Sequence, residues 1–247
     1  MRNFKITLEY DGAHFSGWQI QKKGERTVQG EFEKSCANIF KAPVKIIASG
    51  RTDSGVHAKG QVVSFKAETR MKPQDILKAL NSHLPEDCAV VDVKEVKDDF
   101  HAQYSVKEKT YRYTIVNASI RPVFLRKQAY FYRHPLNLTL MRKASKDLIG
   151  RHDFKAFQAF DPLRADKSSV RTIKKLVIKK DGNLVFIDVT ANGFLYKMVR
   201  NIAGTLIAVG AGLLPADSIS KILKSKDRDQ AHNTAPAQGL CLMTVRY

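Results

Sequence analysis

Acidic residues are scarce in this chain. Against 42 Lys and Arg stand 24 Asp and Glu, a formal net charge of +18 over 247 residues, which excludes a neutral surface and fits a partner carrying many phosphates. Cysteine is almost missing as well. Cys36, Cys88 and Cys241 are odd in number and far apart, and the seven histidines show no paired spacing with them, so neither a disulfide framework nor a zinc site is indicated and a reducing cytoplasm fits. No apolar run reaches the length that a membrane helix needs. Met1-Arg2-Asn3-Phe4 leads at once into an alternating pattern with no apolar signal core, so a soluble, unprocessed chain is expected.

What is present supports a folded protein. With 43% hydrophobic residues, the chain can bury one large core or two modest ones. Residues 1–105 hold 16 basic and 14 acidic side chains, net +2, whereas residues 106–247 hold 26 and 10, net +16. The C-terminal half is therefore expected to make most of the contact with a polyanion.

Phe4, Ile6, Leu8 and Tyr10 alternate with polar residues up to an Asp11-Gly12 turn, the signature of a half-buried strand. Thr27 is an N-cap candidate for a helix placing Val28, Phe32, Cys36, Ile39 and Phe40 on one face, with Pro43 at its exit. Strands follow at 44–48 and 61–65, a helix at 73–83 and strands at 89–93 and 109–116. The second half repeats this grammar: a strand at 130–132, a helix stopping at Gly150, strands at 173–178 and 184–189 joined by an Asp181-Gly182-Asn183 hairpin turn, a helix from about Phe194, another at 218–223, and a closing strand at 240–246. The expected architecture is α+β, with two units of similar order, 1–105 and 106–247, each an antiparallel sheet with helices on one face.

Between the strands at 44–48 and 61–65 lies the most informative segment, Gly50-Arg51-Thr52-Asp53-Ser54-Gly55-Val56-His57-Ala58, which isolates one carboxylate beside an arginine. Spacing alone favours an ordinary turn. Two hydrolase readings fail. Gly50 and Gly55 have P-loop spacing, but Val56-His57 stand where Lys and Ser/Thr should follow. Asp53, Ser54 and His57 have triad chemistry without a nucleophile elbow. In the helix after Asn192-Gly193, Leu195, Met198, Val199, Ile202, Leu206 and Val209 make an apolar stripe, and Arg200 sits on a second flank with Tyr196, Ala203 and Ile207. If Lys197, Asn201 and Gly204 form the solvent face, Arg200 packs against protein and needs an anionic partner. A surface arginine with its stem over apolar neighbours fits the spacing equally.

Tyr111, Tyr113 and Ile115 share one face of the strand at 109–116. Such tyrosines are mostly core residues, while an aromatic beside basic groups is also how unpaired RNA bases are held. Lys174-Lys175 and Lys179-Lys180, with Arg121, Arg126, Arg133, Arg164 and Arg171, are either a solvated surface or generic phosphate contacts.

Taken together, Glu9-Tyr10-Asp11-Gly12 with Phe15-Ser16-Gly17-Trp18-Gln19, Gly50 to Ala58, Lys109 to Tyr113, Gly193 to Asn201, Ala235-Pro236 and Gly239-Leu240 resemble the tRNA pseudouridine synthase A family, enzymes acting on the anticodon arm. The resemblance spans the whole chain. Ser54 departs from the family's usual alanine, and Gly193 and Lys197 occupy variable positions; none removes a side chain with an assigned role.

The resemblance implies isomerisation of uridine to its C-glycoside at tRNA positions 38, 39 and 40, without cofactor or metal, by a homodimer that binds tRNA across both subunits. It implies two ferredoxin-like halves whose sheets join into one mixed platform with the catalytic cleft between them. It assigns Asp53 as nucleophile, Arg200 as its ion-pair partner, Tyr111 as the residue that packs on the uracil or removes its C5 proton, and Arg51 as an aid in drawing the base from its stack. A carboxylate that must attack from a desolvated site needs such a cation beside it. Rival classes are a synthase acting on another RNA, a non-catalytic RNA-binding protein, which would not need Asp53, and a metal-dependent nuclease, which would need several converging carboxylates.

Overall fold

A computed structural model describes residues 1–21, 24–160 and 168–247. The chain divides into two compact units, Met1–Lys107 with Cys241–Tyr247, and Glu108–Leu240. The closing strand thus belongs with the first unit, although in sequence it follows the second.

In the first unit, strands β1 (Arg2–Tyr10), β2 (Ile47–Ala48), β3 (His57–Ala67), β4 (Cys88–Val96) and β10 (Leu240–Arg246) accompany helices α1 (Val28–Phe40) and α2 (Pro73–His83). The sheet order is β4-β1-β3-β10, with β2 paired to β3. β1 is antiparallel to both β3 and β4, and β10 runs parallel to β3, with Cys241 opposite His57. The sheet is therefore mixed, where the sequence suggested an antiparallel one.

The alternation of β1 survives in the fold: Phe4, Ile6 and Leu8 are fully buried and Tyr10 nearly so. Phe4, Phe32 of α1 and Phe40 of α1 all pack on the Phe65 ring. Thr27 caps α1, accepting the Gly30 N–H at 3.2 Å. Asn81 of α2 ties that helix to β4 by bonding both the N–H and the C=O of Val90. The opposite face is not open to water. Asn3 donates to the carbonyls of Lys97 and Phe100, the Ala102 N–H donates to Ser64 Oγ, and the Tyr247 hydroxyl donates to the Ala102 carbonyl. Covered on both faces, β3 has only two exposed positions in eleven, Lys59 and Lys66, as a central strand should.

The second unit contains β5 (Glu108–Asn117), β6 (Tyr130–Tyr132), β7 (Gly150–Asp153), β8 (Val170–Asp181), β9 (Leu184–Ala191) and helices α3 (Leu138–Ser145), α4 (Met198–Gly210) and α5 (Ser218–Ser225). Its sheet runs β5-β9-β8-β7, with β6 parallel to β5. Tyr113, Ile115, Val185, Ile187, Val189 and Ile173 are fully buried on one side. On the other, Arg112 and Asp188 form a bidentate pair at 2.7 and 2.8 Å across β5 and β9. Gly182, at φ +53°, makes the hairpin turn between β8 and β9.

Three expectations are corrected here. The strand expected at 44–48 is only Ile47–Ala48. α4 begins at Met198 rather than near Phe194, because Lys197 stands in the left-handed region at φ +57° and breaks the run. Its expected solvent face is also wrong: Asn201 and Gly204 are buried, and Arg200 is the only residue of α4 that is not.

Candidate active site

The nine-residue segment is a loop that runs into a strand. His57 and Ala58 open β3, while Gly50 to Val56 arch away from it. Both ends are tied down. Gln61, fully buried in β3, donates from Nε2 to the Gly50 carbonyl at 2.8 Å and accepts at Oε1 from the Ser49 hydroxyl at 2.6 Å. At the far end the Val56 N–H donates to the Asp53 carbonyl at 3.1 Å, with Gly55 at φ +77° permitting so tight a turn.

A second layer braces the arch from residues 10–18. Tyr10 Oη and Thr52 Oγ1 are 2.8 Å apart and buried. The Trp18 N–H donates to the Thr52 carbonyl at 3.0 Å, and Ser54 Oγ donates to the Phe15 carbonyl at 3.2 Å. Two glycines allow the backbones to touch: a Cβ on Gly12 would lie 2.0 Å from the Val56 oxygen, and one on Gly17, at φ +96°, 2.9 Å from the Thr52 oxygen. The motif at 9–19 is thus the brace of the aspartate loop. Asp53 itself is half-buried and Arg51 exposed. A carboxylate held by a loop fixed at both ends and along its back is preorganised for chemistry.

In the second unit, Tyr111 lies on β5, nearly buried, with Phe194 edge-on to its ring at 5.1 Å and 89°. Arg200, in the first turn of α4, donates from Nε to the Ala235 carbonyl at 2.8 Å, and its own carbonyl accepts the Ala235 N–H at 3.1 Å. Next along, the Pro236 carbonyl accepts the Tyr113 hydroxyl at 2.9 Å. Burial pushes the Tyr113 phenol well above its ordinary range, partly offset by the positive Arg200 nearby. Gly239 is required there, since a Cβ would meet the Tyr113 ring at 2.6 Å.

Sequence reasoning missed what holds residues 228–236, a strap laid across α4, to that helix. Asn201, fully buried, donates to the Phe157 carbonyl at 2.8 Å and accepts from Thr234 Oγ1 at 2.6 Å and Arg228 Nη2 at 3.1 Å. Gly204 lets the strap in, a Cβ there falling 1.9 Å from the Asn233 oxygen. The one available signal was an Asn and a Gly in the middle of a helix that is otherwise mostly apolar.

Of the basic residues singled out, Lys174 bridges Glu108 at 2.9 Å, while Arg171 and Arg126 each donate to nearby carbonyls. Arg121, Arg133, Lys175, Lys179 and Lys180 are exposed, and Arg164 lies outside the described residues. Among the described residues, no three His, Cys, Asp or Glu side chains converge as a metal site would need, and no helix is long and apolar enough to cross a membrane. Burial pushes the thiols of Cys36 and Cys88 up to about 12, so both are inert packing groups.

The model of the tRNA pseudouridine synthase family matches residues 6–105 and 144–247, and the chain belongs to that family. It is 44% identical, over the full length of both chains, to the "tRNA pseudouridine synthase A" of Thermoanaerobacter sp. (strain X514) and to the "tRNA pseudouridine synthase A 2" of Clostridium perfringens (strain 13 / Type A). It is 45% identical over its full length, and over 98% of the relative, to the "tRNA pseudouridine synthase A" of Geobacillus sp. (strain WCH70). Among solved structures it is similar, at a TM-score of 0.38 and 12% identity, to a chain of a "Cbf5-Nop10-Gar1 Complex", spanning 97% of this chain and 57% of that one; so distant a likeness carries no argument.

Proposed function

We propose that the protein isomerises uridine to pseudouridine in the anticodon stem-loop of tRNA, at positions 38, 39 and 40, with Asp53 as nucleophile. Isomerisation of uridine in tRNA is the activity of its family, and the observation that carries the reading is a family match that spans the braced Asp53 loop and the Arg200 helix. Tyr111 falls outside the matched ranges, and its assignment is supported by the full-length relatives instead.

The reaction breaks the bond from uracil N1 to ribose C1′, turns the base, and joins C5 to C1′. C5 loses a proton and N1 gains one, so no redox partner is consumed. Asp53 attacks the ribose, attacks the base, or takes a sugar proton; each route needs an ionised carboxylate. In this proposal Arg200 is its cationic partner. The guanidinium suits that role because the Ala235 carbonyl takes its Nε–H and so fixes its plane. Tyr111 packs on the uracil or removes the C5 proton, and its ring is supported by the edge-on Phe194. Arg51, exposed at the start of the loop, takes the space that the displaced base leaves. The exposed Arg121, Arg133, Lys175, Lys179 and Lys180 supply phosphate contacts. The active species in this proposal is a cytoplasmic homodimer that requires no cofactor.

Unmodified tRNA transcripts incubated with the enzyme, without metal, test the reading when pseudouridine is mapped by its selective chemical adduct. Product confined to positions 38–40 is expected. Product elsewhere in the tRNA overturns the positional assignment, and tight tRNA binding without product overturns the catalytic one.

A further inference from the structure

His57 is a buried imidazole that the reaction does not use. It is the first residue of β3 and immediately follows Val56, whose N–H closes the Asp53 turn. Its Nδ1 lies 3.0 Å from the Gly12 nitrogen and 3.1 Å from Asp11 Oδ1. These two contacts demand opposite things. Toward the Gly12 N–H, Nδ1 must be a bare acceptor; toward the carboxylate, it must carry a proton.

The surroundings decide between them. Asp11 Oδ1 already accepts the Ala13 N–H at 2.9 Å, and the Asp11 side chain is 36% exposed, so water can serve it. Gly12 is buried, with its α-carbon against the Val56 carbonyl, and its N–H has its acceptor in His57. A buried amide is costly to leave unmade, an exposed carboxylate is not. Nδ1 therefore accepts, and the neutral ring carries its hydrogen on Nε2, a buried atom that meets no hydrogen-bonding partner among the described residues.

We propose that His57 is a positioning residue for the reaction, acting as an Nδ1 acceptor in the Nε2–H tautomer. It locks the Asp11-Gly12 turn against Val56 and through it sets the Asp53 loop. A hydrogen bond from side chain to brace at one end of a four-residue turn is a short lever on the carboxylate. A displacement of about 1 Å in a reacting group lowers turnover on the order of a hundredfold. The inference rests on the assignment of Asp53 as nucleophile.

Three variants and one spectrum test it. Asn places its Oδ1 where Nδ1 stands, whereas Gln places its acceptor near Nε2. His57→Gln is expected to lower kcat about tenfold to a hundredfold with KM and tRNA Kd within about twofold of wild type. His57→Asn is expected to recover most of that loss. In the 15N-labelled full-length protein at pH 7.5, the His57 ring should show a protonated Nε2 and an unprotonated Nδ1. A protonated Nδ1, a fully active His57→Gln, or a His57→Asn as slow as His57→Gln would each overturn the proposal. Asp53→Asn assayed alongside separates the two ideas: its continued turnover removes the nucleophile reading, while the ring's tautomer is read independently of it.

Discussion

Replacing Gly12, a buried residue outside the Asp53 loop, with alanine should cripple the enzyme. The added Cβ would lie 2.0 Å from the Val56 oxygen and 2.5 Å from its carbon, whereas real Cβ contacts stay beyond 3.0 Å. Both neighbours are backbone, so no side chain can rotate away. Either the Asp11-Gly12 turn or the end of the Asp53 loop must therefore move by about 1 Å, the difference between those distances. Overpacking of this kind costs about 1–3 kcal/mol, and loss of the Gly12 N–H bond to His57 adds about 1 kcal/mol. For a protein of this size, a total of about 2–4 kcal/mol lowers Tm by about 5–15 °C. If the loop is what yields, kcat falls on the order of a hundredfold, because the Asp53 turn closes on Val56 itself. Scanning calorimetry and single-turnover kinetics on saturating tRNA read both effects. Gly193→Ala is the control, since its Cβ would meet only the Arg171 side chain, at 3.7 Å. A Gly12→Ala protein with kcat within twofold and Tm within about 2 °C of wild type would refute the claim that the loop is braced by close backbone contact.

Asn201→Ala removes three hydrogen bonds made by a fully buried side chain, two of which hold the strap over α4, for an expected loss of about 2–4 kcal/mol. Thermal denaturation should show the fall, and turnover should drop with it because the same strap fixes Arg200 through Ala235; an unchanged Tm would contradict the clamp. Alkaline titration gives a separate check. Tyr113 is held above its unfolded pKa by burial, so the folded state keeps a proton that the unfolded chain releases once pH passes about 10. Its contribution is therefore full below pH 10 and is lost as pH rises further. Absorbance near 295 nm should show a phenolate that forms only with unfolding, and Tyr113→Phe should remove that one late titration.

Much of the fold was legible wherever a local rule was also the global one. α2 and β6 lie at the bounds read from the sequence, and Thr27 caps α1 as its hydroxyl and position indicated. β7 was not legible. Its Arg151, His152 and Asp153 carry no apolar alternation, and only pairing with β8 makes them a strand. α4 misled for a similar reason. Asn201 and Gly204 look like a solvent face until residues 228–236 are laid across them, and no pattern within a helix announces a distant strap. For the site, the sequence singled out the aspartate loop and the glycine-rich motif at 9–19 as separate features. That one is the scaffold of the other depends on contacts between residues some forty positions apart. His57 was visible only as a failed triad member. Its role as acceptor depends on the competition between Gly12 and Asp11, which spacing does not encode.

The most direct test of the account compares Asp53→Asn with wild type on the same tRNA, measuring single-turnover pseudouridine formation and equilibrium binding together. The substitution keeps the side chain's size and removes its charge, while affinity comes largely from phosphate contacts elsewhere. The account predicts no detectable product with tRNA Kd within about threefold of wild type. Product formed by Asp53→Asn at an appreciable rate would contradict it.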